Sequence, residues 1–263
     1  MELHSKLATV DVLDEQVLTD LFNLKYIAVR VPRFYNPVYA KSLSELLYKE
    51  IDDAVAAGIY ESNVDSYWSV AKDKQRRERY LNAALPLQRR MRRFSAPHPS
   101  PIDLLRVTLD EIWPGGAGLM HLGGRKTPFG ATRLWRTNSE ALPHQDVLRR
   151  EQTEDTKDIK LLGQIGVNIY LDVAEEGGGL EAWDHVITDE EYHGLGDRYE
   201  GSYGYNREML PEQSVVIPPQ VGDLVLINTA YVHAVRKITA GHRITVSGFV
   251  GNCGLDQPLR CWS

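Results

Sequence analysis

Cysteine is nearly missing from this chain: Cys253 and Cys261 are the only two in 263 residues. Two thiols build no disulfide framework, and no Cys-x-x-Cys pair offers a zinc site. Reduced thiols of a cytoplasmic protein are the expectation. No apolar run reaches the roughly 20 residues a bilayer-spanning helix needs. Residues 1–13 carry acids and lack the apolar stretch of a signal peptide. A basic excess is also absent. With a net charge of −6 the chain has no overall positive field for nucleic acid. Two local basic runs, residues 75–79 and 89–93, fall where helices are expected and read as solvated helix faces. There is no internal repeat, low-complexity tract or flexible linker. The apolar fraction of 43% and charged fraction of 25% are those of an ordinary globular chain. Its length suits one domain, residues 1–263, with a substantial core.

What is present divides into two textures. Residues 1–124 read as mainly helical, with one early strand at 26–31. Leu43, Leu46, Leu47, Ile51, Ala54 and Val55 recur at helical spacing over 40–57, and Gly58 is a natural stop. Further helices are expected over 14–24, 73–84 and 102–113, with Pro86 marking a break. After Gly124 short β-rich runs alternate with Gly and Pro, at 131–138, 164–172, 180–183, 214–217, 223–228 and 243–250. Many short strands of this kind suggest a sandwich or jelly roll, so the fold class is mainly β with helices (α+β). Two insertions interrupt the strands. Residues 147–162 are strongly charged. Residues 184–213 contain Tyr192, Tyr199, Tyr203 and Tyr205 and are the better candidate for a lid.

The chemistry concentrates in His144-Gln145-Asp146, His233 and Arg243. His and Asp at i and i+2 of an extended segment point to the same side. A second His from another strand completes a two-histidine, one-carboxylate face, which covers one side of an octahedral metal and leaves the other open. Taken singly, a structural His233, a turn-bracing Asp146 or a surface Arg243 is an ordinary account. An ordered set of four is much harder to reach by coincidence. His242, next to Arg243, should point to the opposite face of its strand.

With its flanking text, this set resembles the iron- and 2-oxoglutarate-dependent oxygenases. The flanks are Gly178-Gly179-Leu180, residues 221–227 leading to His233, and residues 241–247 around Arg243. The likeness runs from about 131 to 251. It implies a double-stranded β-helix (jelly-roll, cupin-like) core over 125–263, with N-terminal helices packed outside. It also implies Fe(II) held by His144, Asp146 and His233, 2-oxoglutarate anchored by Arg243, and O2 as oxidant. Within the family the chain looks most like the small bacterial hydroxylases and halogenases of free amino acids. The halogenases replace the metal-binding carboxylate with Gly or Ala. This chain keeps Asp146, so hydroxylation of a small amino acid or related metabolite, with release of succinate and CO2, is the expected outcome. Oxidative cyclisation or desaturation uses the same iron site. A cupin-like binding module is the non-enzyme alternative, and Arg243 speaks against it. Trp135, Ser247 and Phe249 are candidates for the pocket wall, and Arg76 or Arg77 for holding a substrate carboxylate. The expected partner is a small molecule, with no nucleic acid and no membrane; a homodimer is compatible with the chain.

Overall fold

The computed structural model describes residues 6–57, 67, 73–151, 153–154, 156–194 and 204–263. The chain begins with β1 (Leu7–Thr9), α1 (Glu15–Phe22), β2 (Ala28–Val31) and α2 (Pro37–Ala56). Three helices follow: α3 (Lys74–Asn82), α4 (Ala84–Ser95) and α5 (Pro101–Ile112). Next come the short strands β3 (Ala117–Leu119), β4 (His121–Leu122) and β5 (Arg125–Lys126). The core strands are β6 (Ala131–Arg136), β7 (Ala141–His144), β8 (Gly163–Asp172) and β9 (Leu180–Val186). After the short α6 (Asp189–Gly194) come β10 (Val215–Ile217), β11 (Leu224–Asn228), β12 (Tyr231–Val235), β13 (His242–Asn252) and β14 (Leu259–Trp262).

Polar caps set the helix starts. Asp14 accepts from the Val17 amide, Asn36 from Val38 and Ser100 from Asp103, each satisfying an otherwise orphaned N–H. Pro37 and Pro101 occupy first-turn positions, where no intrahelical N–H is needed. Pro86 behaves the same way. The helix break falls at Ala83, which caps α3 and opens α4, and Pro86 sits in the first turn of α4. The stop expected at Gly58 lies outside the described residues.

Apart from β4 and β5, which pair only with each other, the strands form two facing sheets. The large one runs β1-β2-β11-β8-β13-β14-β3, with β6 also paired to β13; the small one runs β10-β9-β12-β7. Alternation sorts each strand's side chains into two layers. Ala28, Tyr170, Val225 and Ile227 of the large sheet meet Leu180, Ala182, Val215 and Ile217 of the small sheet between them. The other face of the large sheet carries Val167, Ile169, Leu226, Ile244 and Val246. It packs on Leu18 and Leu21 of α1, Leu43 and Leu47 of α2, and Leu105 of α5. This is a double-stranded β-helix with the N-terminal helices outside it.

Some pairings and some short elements were not visible in the sequence. β2 lies between β1 and β11, so a strand from the helical part belongs to the large sheet. β14 pairs with β13 on one side and β3 on the other. β1, β3 and β14, three or four residues each, were not read because they carry too little alternation; pairing makes them. Among the described residues, no helix is long and apolar enough to cross a membrane.

Candidate metal centre

β7 and β12 are antiparallel neighbours, with His144 directly opposite His233. His233 also faces Ala182 of β9, which belongs to the layer between the sheets, so both rings project inward. His233 lies mid-strand on β12. Asp146 follows two residues after His144. Its Oδ2 stands 3.6 Å from His144 Nε2 and 3.3 Å from His233 Nε2. Neighbouring ligands on an octahedral ion, each about 2.1 Å from the metal, sit about 3 Å apart. The three donor atoms therefore fit a metal with little movement, and this is the group able to hold one among the described residues.

The backbone fixes which ring nitrogen is offered. His144 Nδ1 lies 2.6 Å from the Leu142 carbonyl, and His233 Nδ1 lies 3.0 Å from that of Tyr231. Each Nδ1 thus donates its proton, and the Nε2 lone pair is left for a metal. Burial, with help from His233, pushes the His144 imidazole below its ordinary value, which favours that neutral form. Burial works to raise the Asp146 carboxyl, but His144, His233 and Arg133 outweigh it and hold the group below the usual carboxylate range.

Two side-chain amides brace the motif. Gln164 donates to the Asp146 carbonyl at 3.0 Å and accepts from the Leu148 amide at 3.0 Å. Gln145 points the other way, to the outer face of the small sheet. There it donates to the Ala230 carbonyl and accepts from Tyr205 and Arg150.

Arg243 lies on the inner face of β13, 3% exposed. One Nη donates to the Gly178 carbonyl at 3.0 Å. The guanidinium carbon sits 4.8 Å from the centre of the Tyr170 ring. Arg243 Nε and the Tyr170 hydroxyl are both buried with no hydrogen-bond partner among the described residues. Two adjacent orphaned donors, one of them cationic, describe a cradle for an anion. Tyr170 escaped the sequence reading, although its period-two spacing from Asn168 on β8 was a usable signal.

The other candidates separate. Trp135 is directly opposite Arg243, and Arg133 is opposite Thr245, on the same inner face. Ser247 also lies there, donating to Asn168 at 2.8 Å. Phe249 shares the face through its pairing with Gly166, and its ring stands 5.6 Å from Trp262. Arg76 and Arg77 lie in the first turn of α3, behind the Asp73 cap. His242 points outward as expected, 3.3 Å from Asp172 and against Tyr48 of α2.

The described parts of the 184–213 insertion pack behind the centre. Ile187, Tyr192, Tyr205 and Leu210 join Trp183 of β9 and Val232 and Ala234 of β12 on the outer face of the small sheet. Tyr199 and Tyr203 lie outside the described residues. The described segments form a wall behind the metal-facing strands.

Residues 151–263 match the family model of the carrier-protein-independent halogenase WelO5. That stretch takes in His233 and Arg243 and begins after Asp146. The chain is similar to L-gamma-glutamyl-L-propargylglycine hydroxylase of Streptantibioticus cattleyicolor, 26% identical over 58% of this chain and 55% of that one. It is also similar to L-isoleucine 3(1)-dioxygenase of Pantoea ananatis, 27% identical over 51% and 47%. These matches span about half the length of the curated relatives. The fold is shared with an N-substituted L-amino acid dioxygenase of Burkholderia ambifaria: TM-score 0.60, 14% identity, 94% of this chain and 91% of that one. The same enzyme in complex with alpha-KG (2-oxoglutarate) gives a TM-score of 0.61, at 13% identity over 94% and 90%.

A double-stranded β-helix with an inward His-x-Asp and His set is the arrangement of the Fe(II)/2-oxoglutarate-dependent oxygenase superfamily. In sequence, the chain's likeness runs to a hydroxylase and a dioxygenase whose names give amino-acid-type substrates.

Proposed function

We propose that this protein is an Fe(II)- and 2-oxoglutarate-dependent dioxygenase that hydroxylates an unactivated C–H bond of a small amino acid or related metabolite. One observation carries the proposal. Three convergent donors, two of tautomer-fixed histidines and one of a carboxylate, share an interior with a buried, under-satisfied Arg243. The names of the similar enzymes support the amino-acid substrate class.

His144 Nε2, His233 Nε2 and an Asp146 oxygen hold Fe(II). Arg243 and the Tyr170 hydroxyl hold the distal carboxylate of 2-oxoglutarate, Arg243 through its planar fork of N–H groups. Fe(II), the co-substrate and O2 supply the oxidant, with succinate and CO2 as co-products. The protein's part is to bind, orient and exclude water. The apolar layer of Val225, Ile227, Leu180 and Val215 keeps the interior dry. Trp135, Ser247 and Phe249 wall the pocket. Arg133, on the same face and close enough to Asp146 to lower its pKa, offers a cation to a substrate carboxylate. Asp146 occupies the carboxylate position, which favours hydroxylation over halogenation. Residues 1–263 act as one oxygenase unit, because strands of the first 124 residues extend the large sheet. The two free thiols fit a cytoplasmic location.

The test is an anaerobic titration of Fe(II) and 2-oxoglutarate, followed by a panel of amino acids and N-substituted amino acids. A metal-to-ligand charge-transfer band should form and shift with the right substrate. Admitting O2 should then yield succinate and hydroxylated product in equal amounts. No band with Fe(II) and 2-oxoglutarate would overturn the enzyme assignment and leave a binding module.

A further inference from the structure

We propose that Gln145 is a positioning residue. In this role, its side chain, gripped from behind by residues 184–194 and 204–213 of the insertion, sets the spacing of the metal ligands and couples those segments to metal binding. The proposal rests on the metal role given above for His144, Asp146 and His233.

Gln145 stands between two ligands in sequence, and they point inward, so its own side chain emerges on the outer face of the small sheet. All of its hydrogen-bonding groups find partners there. Its Oε1 accepts from Arg150 Nη1 at 2.8 Å and from the Tyr205 hydroxyl at 3.0 Å. Its Nε2 donates to the Ala230 carbonyl and, at 3.3 Å, to that of Ile187. An amide offers two donors and two acceptor sites, and all four are used.

The partners give the arrangement its meaning. Ala230 lies in the turn between β11 and β12, three residues before His233. One side chain therefore ties the segment carrying His144 and Asp146 to the one carrying His233. Ile187 and Tyr205 belong to the insertion, and the Tyr205 amide also donates to the Pro143 carbonyl, beside His144, at 2.7 Å. Arg150 is held by the insertion in turn. Its side chain is 6% exposed and its Nε meets Asp189 at 2.9 Å. Its Nη2 donates to Ile187 at 2.8 Å, and its guanidinium lies 4.1 Å from the Tyr192 ring centre. A displaced insertion would release Arg150, Tyr205 and Ile187 together and free Gln145 to shift the ligands. By thermodynamic reciprocity, metal binding must then stabilise the insertion against opening.

The test uses the full chain and Co(II) as an optical probe in place of Fe(II). Tyr205→Phe deletes one hydroxyl, and Gln145→Leu deletes the amide at nearly constant volume. Residues that orient metal ligands typically change metal affinity about 10–100-fold. Gln145→Leu should fall in that range. Tyr205→Phe should weaken Co(II) severalfold while its metal-free Tm stays within a few degrees of the parent. Hydrogen exchange provides a readout that a purely stabilising contact would not move. Co(II) should slow exchange at 184–194 and 204–213 in the parent, and much less in Gln145→Leu. Should Gln145→Leu fail to fold, Tyr205→Phe decides the matter alone. Parent-like Co(II) affinity in Tyr205→Phe and any folded Gln145→Leu, or an insertion whose exchange ignores Co(II), overturns the coupling. A parent that binds Co(II) no better than His144→Ala removes the metal role itself, and the coupling with it.

Discussion

The roles proposed for Asp146 and Arg243 both rest on charge, and each can be tested alone. Asp146 is the one anionic donor of the face. Asp146→Ala should abolish turnover and weaken Fe(II) strongly while the two histidines remain in place. Near-normal turnover without added carboxylate would dismiss it as a ligand. Arg243→Ala leaves an incoming carboxylate without its partner in a buried setting. Loss of such a charged partner typically costs about 2–5 kcal/mol, which a 2-oxoglutarate titration would read as a large rise in Kd. An unchanged Kd would move the anchor elsewhere. At this scale the metal site was legible because His-x-Asp is a local pattern with a fixed geometry. Tyr170 was not, because a tyrosine in a β-rich run reads as core until Arg243 is seen over its ring.

Turns decide where whole strands sit. Gly222 has a φ of +91°, and a Cβ there would lie 2.3 Å from the Tyr35 carbonyl oxygen. The next residue, Asp223, is fully buried and brackets the same turn. It accepts from Arg30 at 2.6 Å and from the backbone amides of Arg33 and Gln220 at 3.1 and 2.8 Å. Gly222→Ala should therefore destabilise by about 1–3 kcal/mol, the usual cost of a strained backbone site, measured by urea unfolding of the metal-free protein. The insertion offers a pH test. Asp189 is held down to about 2 by Arg149 and then Arg150, against an ordinary value of 3.8. A depressed carboxyl stabilises fully above its unfolded value and loses that contribution as pH falls through the folded one. The stability gap between the parent and Asp189→Asn should be constant above about pH 4 and shrink toward pH 2. The group is half-exposed, so the gap should be small. A gap that grew on acidification would contradict the ion-pair account.

The whole molecule joins a helical layer, a large sheet, a small sheet and a rear wall, with the proposed chemistry in the space between the sheets. Ligands that bind only the folded form raise its stability by mass action. Fe(II) and 2-oxoglutarate should each raise Tm, and a ligand at 100 times its Kd contributes about 2.7 kcal/mol. The 2-oxoglutarate increment should vanish in Arg243→Ala, while the metal increment persists. Persistence of both would separate Arg243 from the co-substrate. What the sequence alone determined was the local chemistry and the class. The His-x-Asp spacing and each Gly-punctuated strand are patterns within a few residues, where backbone periodicity dictates direction, and the later His and Arg complete an ordered set. Tertiary structure decided the rest. The pairing of β12 with β7 brings His233 opposite His144 across 88 intervening positions. The register of β13 with β6 and β8 places Arg243 beside Trp135 and near Tyr170. Gln145, unremarkable between two ligands in the sequence, gains its role only when β-pleat alternation turns it outward onto the insertion. Such contacts depend on which strands become neighbours, and the free energy that selects neighbours is spread over the whole core.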